Sequence, residues 1–170
     1  FIITKLIERH ERERQRYRLL HDYYMGDHRI LSRRKRGKNV ANNRIMCNHA
    51  KYITDMTQSY LVGNPVTYAV SDEYDIEAIK NEYLDMPSVD SEIVKNMSIY
   101  GKAYELIYAD EKSKPRSVRL DPEHTFVCYS QSAFEKPLFA VYYYKKYDLD
   151  GYCTGSICRV YDESFIYTYT

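Results

Sequence analysis

Residues 98–109 read Ser-Ile-Tyr-Gly-Lys-Ala-Tyr-Glu-Leu-Ile-Tyr-Ala, and the spacing of the apolar residues changes within this stretch. Before Gly101 the apolar residues recur every three or four positions, which predicts a helix from about Asp90 to Tyr100. After Gly101 they alternate with polar residues, which predicts a half-buried strand. Gly101 stands where a helix would end, so we expect it to have a positive φ that only glycine adopts without strain.

The sequence on the N-terminal side of this change is mostly helical in pattern. Apolar residues again recur at helical spacing, and glycine, proline or N-cap candidates stand at the ends of the segments. The predicted elements are a long helix over residues 3–24 that ends at Gly26, a helix from about Asn39 to Val62, a short strand Val66–Val70, and a helix over residues 76–84.

The sequence on the C-terminal side is a series of short strands separated by turn residues. Short connections between successive strands favour an antiparallel meander. Helices first and strands afterwards predict an α+β fold, with N-terminal helices followed by a mostly antiparallel β-sheet. After the strand that ends at Ala109, the predicted strands are Ser117–Leu120, Thr125–Tyr129, Leu138–Lys146, Tyr152–Tyr161 and Ser164–Tyr169.

The charge of the chain is distributed unevenly. The net charge is +1, but residues 1–52 carry 14 Lys and Arg against 5 Asp and Glu, a net of +9, so residues 53–170 carry −8. We therefore predict a basic helical arm and loop over residues 1–38 and an α+β domain over residues 39–170. Opposite charges on two parts of one chain suggest an anionic partner or complementarity between subunits.

Composition excludes several classes of protein. No window reaches the ~18 consecutive apolar residues of a membrane span, and the first residues do not resemble a signal peptide, so we expect no membrane partner. The four cysteines fit neither a redox motif nor a zinc site and are expected to be reduced, structural thiols. The chain starts without Met inside a helical pattern and stops inside a strand-like run, so we expect it to be an excerpt of a longer protein.

The sequence contains no arrangement of residues typical of an enzyme. Phosphate-binding loops, dinucleotide-binding glycines, zinc-protease helices and nucleophile elbows are all missing from it. The histidines are scattered. His21 and His28 of the arm are interpreted as solvated residues of a helix face, whereas His10 follows Ile3, Leu6 and Ile7 in the helical spacing of the apolar positions. Asp148-Leu-Asp150-Gly151 resembles the start of a calcium loop but lacks the later acidic ligand, so an Asp-Gly hairpin turn is favoured. We predict no catalytic residue, no cofactor and no metal.

A cluster of cations within Arg29–Lys38 is the strongest physical signal for a binding site. Clustered cations neutralise phosphates, so this loop could contact DNA or RNA. No aromatic residue interleaves the cluster to stack bases, and a solvated or subunit-facing loop is the other interpretation. The candidate contact residues are Arg33, Arg34, Lys35, Arg36 and Lys38.

Tyrosine is the second unusual feature, with twenty in 170 residues and no tryptophan. Tyrosine offers a large amphipathic area at low entropic cost and is enriched at protein interfaces. The alternative is a core built from Tyr, with the hydroxyls at its rim.

Several fragments, in order and at consistent spacing across about residues 20–145, resemble the portal proteins of tailed bacteriophages. The resemblance is to the head-to-tail connector type of siphophages. The fragments are Tyr23-Tyr-Met-Gly-Asp-His-Arg-Ile-Leu with Arg33-Arg-Lys-Arg, Asn42-Asn-Arg-Ile, Asn48-His-Ala-Lys-Tyr-Ile, Tyr60-Leu-Val-Gly-Asn-Pro-Val-Thr-Tyr68, Ser98-Ile-Tyr-Gly-Lys-Ala-Tyr-Glu-Leu, Leu120-Asp-Pro-Glu and Lys136-Pro-Leu-Phe-Ala-Val-Tyr-Tyr.

This resemblance implies a structural role in the virion for the chain, which would cover the N-terminal, wing portion of a longer protein. A portal is a ring, usually of twelve subunits, at one capsid vertex, assembled in the host bacterial cytoplasm. Its partners are the terminase, capsid and scaffold proteins, head-tail adaptors, and the double-stranded DNA that passes through the channel. The alternatives are an independent nucleic-acid-binding module that uses Arg29–Lys38 and, less favoured, a hydrolase with an unrecognised site.

Overall fold

A computed structural model of the chain describes residues 2–34, 37, 41–67 and 86–170. The chain divides into two compact units, one formed by residues 1–14 and 120–170 and the other by residues 15–119. The first helix therefore contributes residues to both units. The division at residue 38, predicted from charge, stays a prediction.

The helices precede the strands, as predicted. Helix α1 spans Ile2–Met25 and ends at Gly26, which has a φ of +91°. Helix α2 spans His49–Val62, and α3 spans Met86–Tyr100. The predicted helix over residues 76–84 lies outside the described residues. So does the predicted strand Val66–Val70, except for Val66 and Thr67.

Helix α2 begins at a place that the apolar pattern did not predict. It begins at His49 rather than near Asn39, because the side chain of Asn48 accepts a hydrogen bond from the Lys51 backbone N–H at 3.0 Å and so caps the helix. The structure describes α3 from Met86, four residues before its predicted start at Asp90.

Gly101 ends α3 in the predicted conformation. Its φ is +73°, and its N–H donates to the carbonyl of Met97 at 2.9 Å. Strands β1 (Tyr104–Ala109) and β2 (Pro115–Leu120) follow and form a two-stranded sheet. The carboxylate of Asp110 accepts hydrogen bonds from two backbone N–H groups of the connecting loop and holds the turn.

The unit of residues 1–14 and 120–170 contains the meander. Strands β3 (Thr125–Tyr129), β4 (Pro137–Tyr147), β5 (Cys153–Tyr161) and β6 (Ile166–Tyr169) pair antiparallel in the order β3-β4-β5-β6. The prediction of an α+β fold with a mostly antiparallel sheet is confirmed.

The core of this unit lies between the sheet and the first turns of α1. Val141, at the centre of β4, is fully buried and is paired with Phe126 on one side and Val160 on the other. Burying one such side chain stabilises the fold by roughly 1.5–3 kcal/mol. The residues that pack around Val141, Tyr143 and Val160 are Ile3, Ile7, Phe126, Phe139 and Cys158.

The unit of residues 15–119 has a core rich in aromatic residues. Tyr17 and Tyr24 of α1 and Ile99 of α3 are buried. Tyr17 meets Tyr100 edge to face, with ring centroids 5.9 Å apart, and His21 stacks on the same Tyr100 ring at 6.4 Å. Among the described residues, no helix is both long and apolar enough to cross a membrane.

Candidate interaction surfaces

The cation-rich stretch Arg29–Lys38, which we call the basic segment, begins in two consecutive turns after Gly26. The N–H of Leu31 donates to the carbonyl of His28 at 2.9 Å, and the hydroxyl of Ser32 donates to the carbonyl of Arg29 at 3.1 Å. These bonds fix the backbone without using the cationic side chains. Of the predicted contact residues, the structure places Arg33 and Arg34 on the surface, while Lys35, Arg36 and Lys38 lie outside the described residues.

The turns are fixed to the end of α1. The ring of His28 stacks on Tyr23 with centroids 4.7 Å apart, and its Nε2 lies 3.0 Å from the Tyr23 carbonyl. Arg44 also donates to the carbonyl of Leu31 at 2.8 Å. Arg33 and Arg34 therefore follow a positioned turn, and both guanidinium groups can meet a phosphate or a carboxylate.

A second basic surface lies on α1 itself, and we did not predict it as a site. Exposed cations recur every three or four residues, so they project from the same side of the helix. The signal was present in the spacing, but the alternating Glu and Arg residues favour the interpretation of a solvated helix. The residues of this side are Lys5, Arg9, Arg12 and Arg16.

Tyr143 is the centre of a buried polar cluster. Its hydroxyl lies 2.9 Å from Nδ1 of His10 and donates to the carboxylate of Glu11 at 3.1 Å. Burial, reinforced by the negative charge of Glu11, raises the pKa of Tyr143 far above its ordinary value. The hydroxyl of Tyr143 thus joins β4 to α1 through its contacts with His10 and Glu11.

His10 lies on the buried side of α1, in agreement with its place in the apolar spacing of the predicted helix. Its exposed fraction is only 5%. It follows Ile3 and Ile7 on the buried side of α1, and its ring lies 4.9 Å from Phe126. His124 is the other imidazole of this cluster, and its ring meets Tyr143 edge-on at 5.9 Å. Burial, and then the positive charge of Arg14, lowers the pKa of His124.

Thiols and carboxylates form no metal-binding group in the described part of the chain. No group of three or more His, Cys, Asp or Glu residues there is arranged to hold a metal ion. All four cysteines are free, and burial raises the pKa of the Cys128 and Cys158 thiols. The stretch from Asp148 to Gly151 is a turn between β4 and β5, as predicted, and Gly151 has a φ of +84°.

The described tyrosines include buried and exposed residues. Tyr17, Tyr24 and Tyr143 are buried in the cores of the two units. Other tyrosines, in both units, are at least 44% exposed. They are Tyr52, Tyr60, Tyr108, Tyr129, Tyr147, Tyr152, Tyr167 and Tyr169.

Comparison with known proteins assigns the chain to a family. Residues 3–170 match the family described as phage portal protein, SPP1 Gp6-like. The chain belongs to this family. The portal protein of Bacillus phage SPP1 is 30% identical to it over 182 aligned residues, which cover 99% of this chain and 35% of that protein. The chain therefore spans about a third of the length of its portal relative.

The match to the portal family extends the resemblance seen in the sequence. The fragments quoted above lie between about residues 20 and 145, whereas the family match includes most of α1 and the last two strands. The meander and the buried Tyr143 cluster thus lie within the residues that match the family. The prediction that the chain is a phage portal protein of the head-to-tail connector type is confirmed.

Proposed function

We propose that this chain forms the N-terminal, wing portion of a ring-shaped portal at one vertex of a phage capsid. Double-stranded DNA is packaged and ejected through the channel of that ring. The observation that carries the proposal is the family match over residues 3–170, together with 30% identity to the portal protein of phage SPP1 across 99% of this chain.

The full-length protein forms a closed ring of copies, about twelve as the family resemblance implies, since rings are built by repeating one heterologous contact. It assembles in the host bacterial cytoplasm and becomes part of the virion. Its other partners are capsid and scaffold proteins, the terminase that drives DNA inward, and the adaptors that join head to tail. The role is structural, and we assign no catalytic residue and no cofactor to this chain.

The basic segment is proposed to meet an anionic surface of this assembly. Arg33 and Arg34 are exposed beyond a turn held by His28 and Arg44, and Lys35, Arg36 and Lys38 continue the positive charge along the chain. Either DNA phosphates or the acidic surface of a neighbouring subunit would form ion pairs with these cations. The dependence of binding on salt and on DNA sequence distinguishes the two, as described in the Discussion.

A nonsense codon within the coding region of this chain tests the portal function directly. In the phage or prophage that encodes it, we expect particles that protect little or no DNA from nuclease, because no channel forms. The same allele in a nonsense-suppressing host is the matched control and restores DNA protection. Equal amounts of nuclease-resistant DNA with and without suppression would contradict the proposal.

A further inference from the structure

Residues 28–54 contain no carboxylate side chain. This stretch carries eight Lys and Arg but no Asp or Glu, although the whole chain has 24 Asp and Glu in 170 residues. The first carboxylates beyond its ends are those of Asp27 and Asp55, and Asp55 forms an ion pair with Lys51 at 3.3 Å. A long stretch whose charges have a single sign is typical of a segment that binds a polyanion.

The backbone of the turns after Gly26 uses its own hydrogen-bond acceptors. Each of the four successive carbonyl groups from His28 to Leu31 accepts a hydrogen bond from within the chain. The donors are, in order, the N–H of Leu31 at 2.9 Å, the hydroxyl of Ser32 at 3.1 Å, the N–H of Arg33 at 3.4 Å and the side chain of Arg44 at 2.8 Å. A partner therefore meets few acceptors here, whereas the exposed guanidinium groups present many donors.

Arg44 reaches this turn from a distant part of the chain. It is 13 residues from Leu31 in sequence, yet its Nη1 donates to the Leu31 carbonyl, which brings its positive charge to the turn that leads into Arg33 and Arg34. Its side chain is exposed, and a guanidinium has five N–H donors. The bond to Leu31 therefore fixes the group in place and still lets it donate to an anion.

We infer that Arg33, Arg34 and Arg44 form one binding site for the phosphodiester backbone of a nucleic acid. The inference rests on the proposed contact of the basic segment with an anionic surface, to which it adds a cation remote in sequence and a ligand class. A phosphodiester only accepts hydrogen bonds, so it matches a surface rich in donors and poor in acceptors, whereas a protein surface presents both kinds of group. Because the Leu31 carbonyl already holds Arg44, this side chain loses little freedom on binding.

Salt titrations of duplex-DNA binding by the full-length protein test the inference. Each phosphate contact adds about 0.9 to the steepness with which the logarithm of the binding constant falls with the logarithm of salt concentration. We expect Arg44→Gln to weaken binding about tenfold at low salt and to lower that steepness by about one or more, and Arg44→Lys, which keeps the charge, to preserve it. The matched control is Arg159→Gln, at an exposed arginine of β5, and we expect it to change neither quantity.

Weaker binding by Arg44→Gln with unchanged steepness would mean that Arg44 only holds the turn, and would overturn the inference. Tighter binding of poly-L-glutamate than of DNA by the wild-type protein would also overturn it, because the partner would then be an acidic protein surface. Both results leave the proposed contact of the basic segment standing. If Arg44→Gln and the replacement of residues 33–36 with Ser both leave the binding of DNA and of polyglutamate unchanged, the proposed contact itself fails, and the inference with it.

Chemical modification of the wild-type protein gives a readout that needs no variant. Phenylglyoxal modifies exposed guanidinium groups, and mass spectrometry locates the modified residues. We expect duplex DNA to protect Arg33, Arg34 and Arg44 from modification and to leave Arg159 as reactive as before. Equal modification of Arg44 with and without DNA would overturn the inference.

Discussion

At Gly101 the backbone passes from α3 into β1 with a φ of +73°, and a Cβ added there would have nothing within 4 Å. A substitution therefore costs backbone strain without a steric clash. We expect Gly101→Val to lower the free energy of unfolding by about 1–2 kcal/mol or more. Asn tolerates this conformation better, so Gly101→Asn is the control and should lose less. Thermal and denaturant melts of both variants measure the difference, and a Val variant as stable as the parent would contradict the account.

His124 makes stability depend on pH. Burial lowers its pKa in the folded protein, so the unfolded chain takes up the proton first as the pH falls. The stability contributed by the neutral ring is complete above the unfolded pKa of about 6.5 and is lost as the pH falls through the lower pKa of the folded state. Arg14 works in the same direction, whereas Asp121, Glu123 and Glu11 partly oppose it.

We therefore expect the wild-type protein to lose more unfolding free energy than His124→Gln between about pH 7.5 and pH 5.5. Urea denaturation at the two pH values measures both losses under identical conditions. Equal losses in the two proteins would show that the protonation of His124 is not linked to folding.

Sequence reasoning missed contacts that depend on distant partners. The spacing puts His10 among the apolar positions of α1, but it does not indicate that Tyr143, remote in sequence, lies at hydrogen-bonding distance from its ring. Asn48 could be read as one of several polar residues within a helix, but its side chain caps α2 and also donates to the carbonyl of Tyr24 at 2.9 Å. Residue type and spacing alone do not predict these contacts.

Among the elements, the strands were the most predictable because turn residues separate them. Thr125–Tyr129 was predicted as it occurs. Strand β4 extends one residue beyond the prediction at each end, and β5 begins one residue later than predicted. The start of α2 was less predictable. Val40, Ile45 and Met46 have helical spacing, but residues 41–48 are not helical in the structure because the capping side chain of Asn48 begins the helix at His49.

The basic segment is tested as an element rather than residue by residue. Replacing Arg33, Arg34, Lys35 and Arg36 with Ser should abolish retention of the protein on a DNA column at low salt. Contacts through phosphates are indifferent to sequence and weaken steeply with salt, so the parent should elute early in a salt gradient from columns of any sequence.

The matched control for this element removes four exposed cations elsewhere, by substituting Ser at Lys112, Lys136, Lys145 and Lys146. We expect this control to remain bound to the column. Retention of the basic-segment variant, or retention that depends on DNA sequence, would contradict a phosphate contact at this segment. Loss of assembly in the same variant without loss of DNA binding would favour a neighbouring subunit as its partner.

At the scale of the molecule, the α+β class followed from the order of patterns, but the division into units did not. Residues 1–14 join residues 120–170, a grouping of the two ends of the chain that local spacing does not encode. The candidate interaction surfaces were partly foreseen. The basic segment was found from charge, whereas the basic side of α1 was not predicted as a site because alternating Glu and Arg residues favour a solvated helix.

We propose that the full-length protein is a ring-forming portal. Native mass spectrometry combined with electron microscopy of that protein tests this proposal most directly. We expect a closed ring of about a dozen subunits, held together by heterologous contacts. A stable monomer or a simple dimer, at high protein concentration and under several salt conditions, would contradict it.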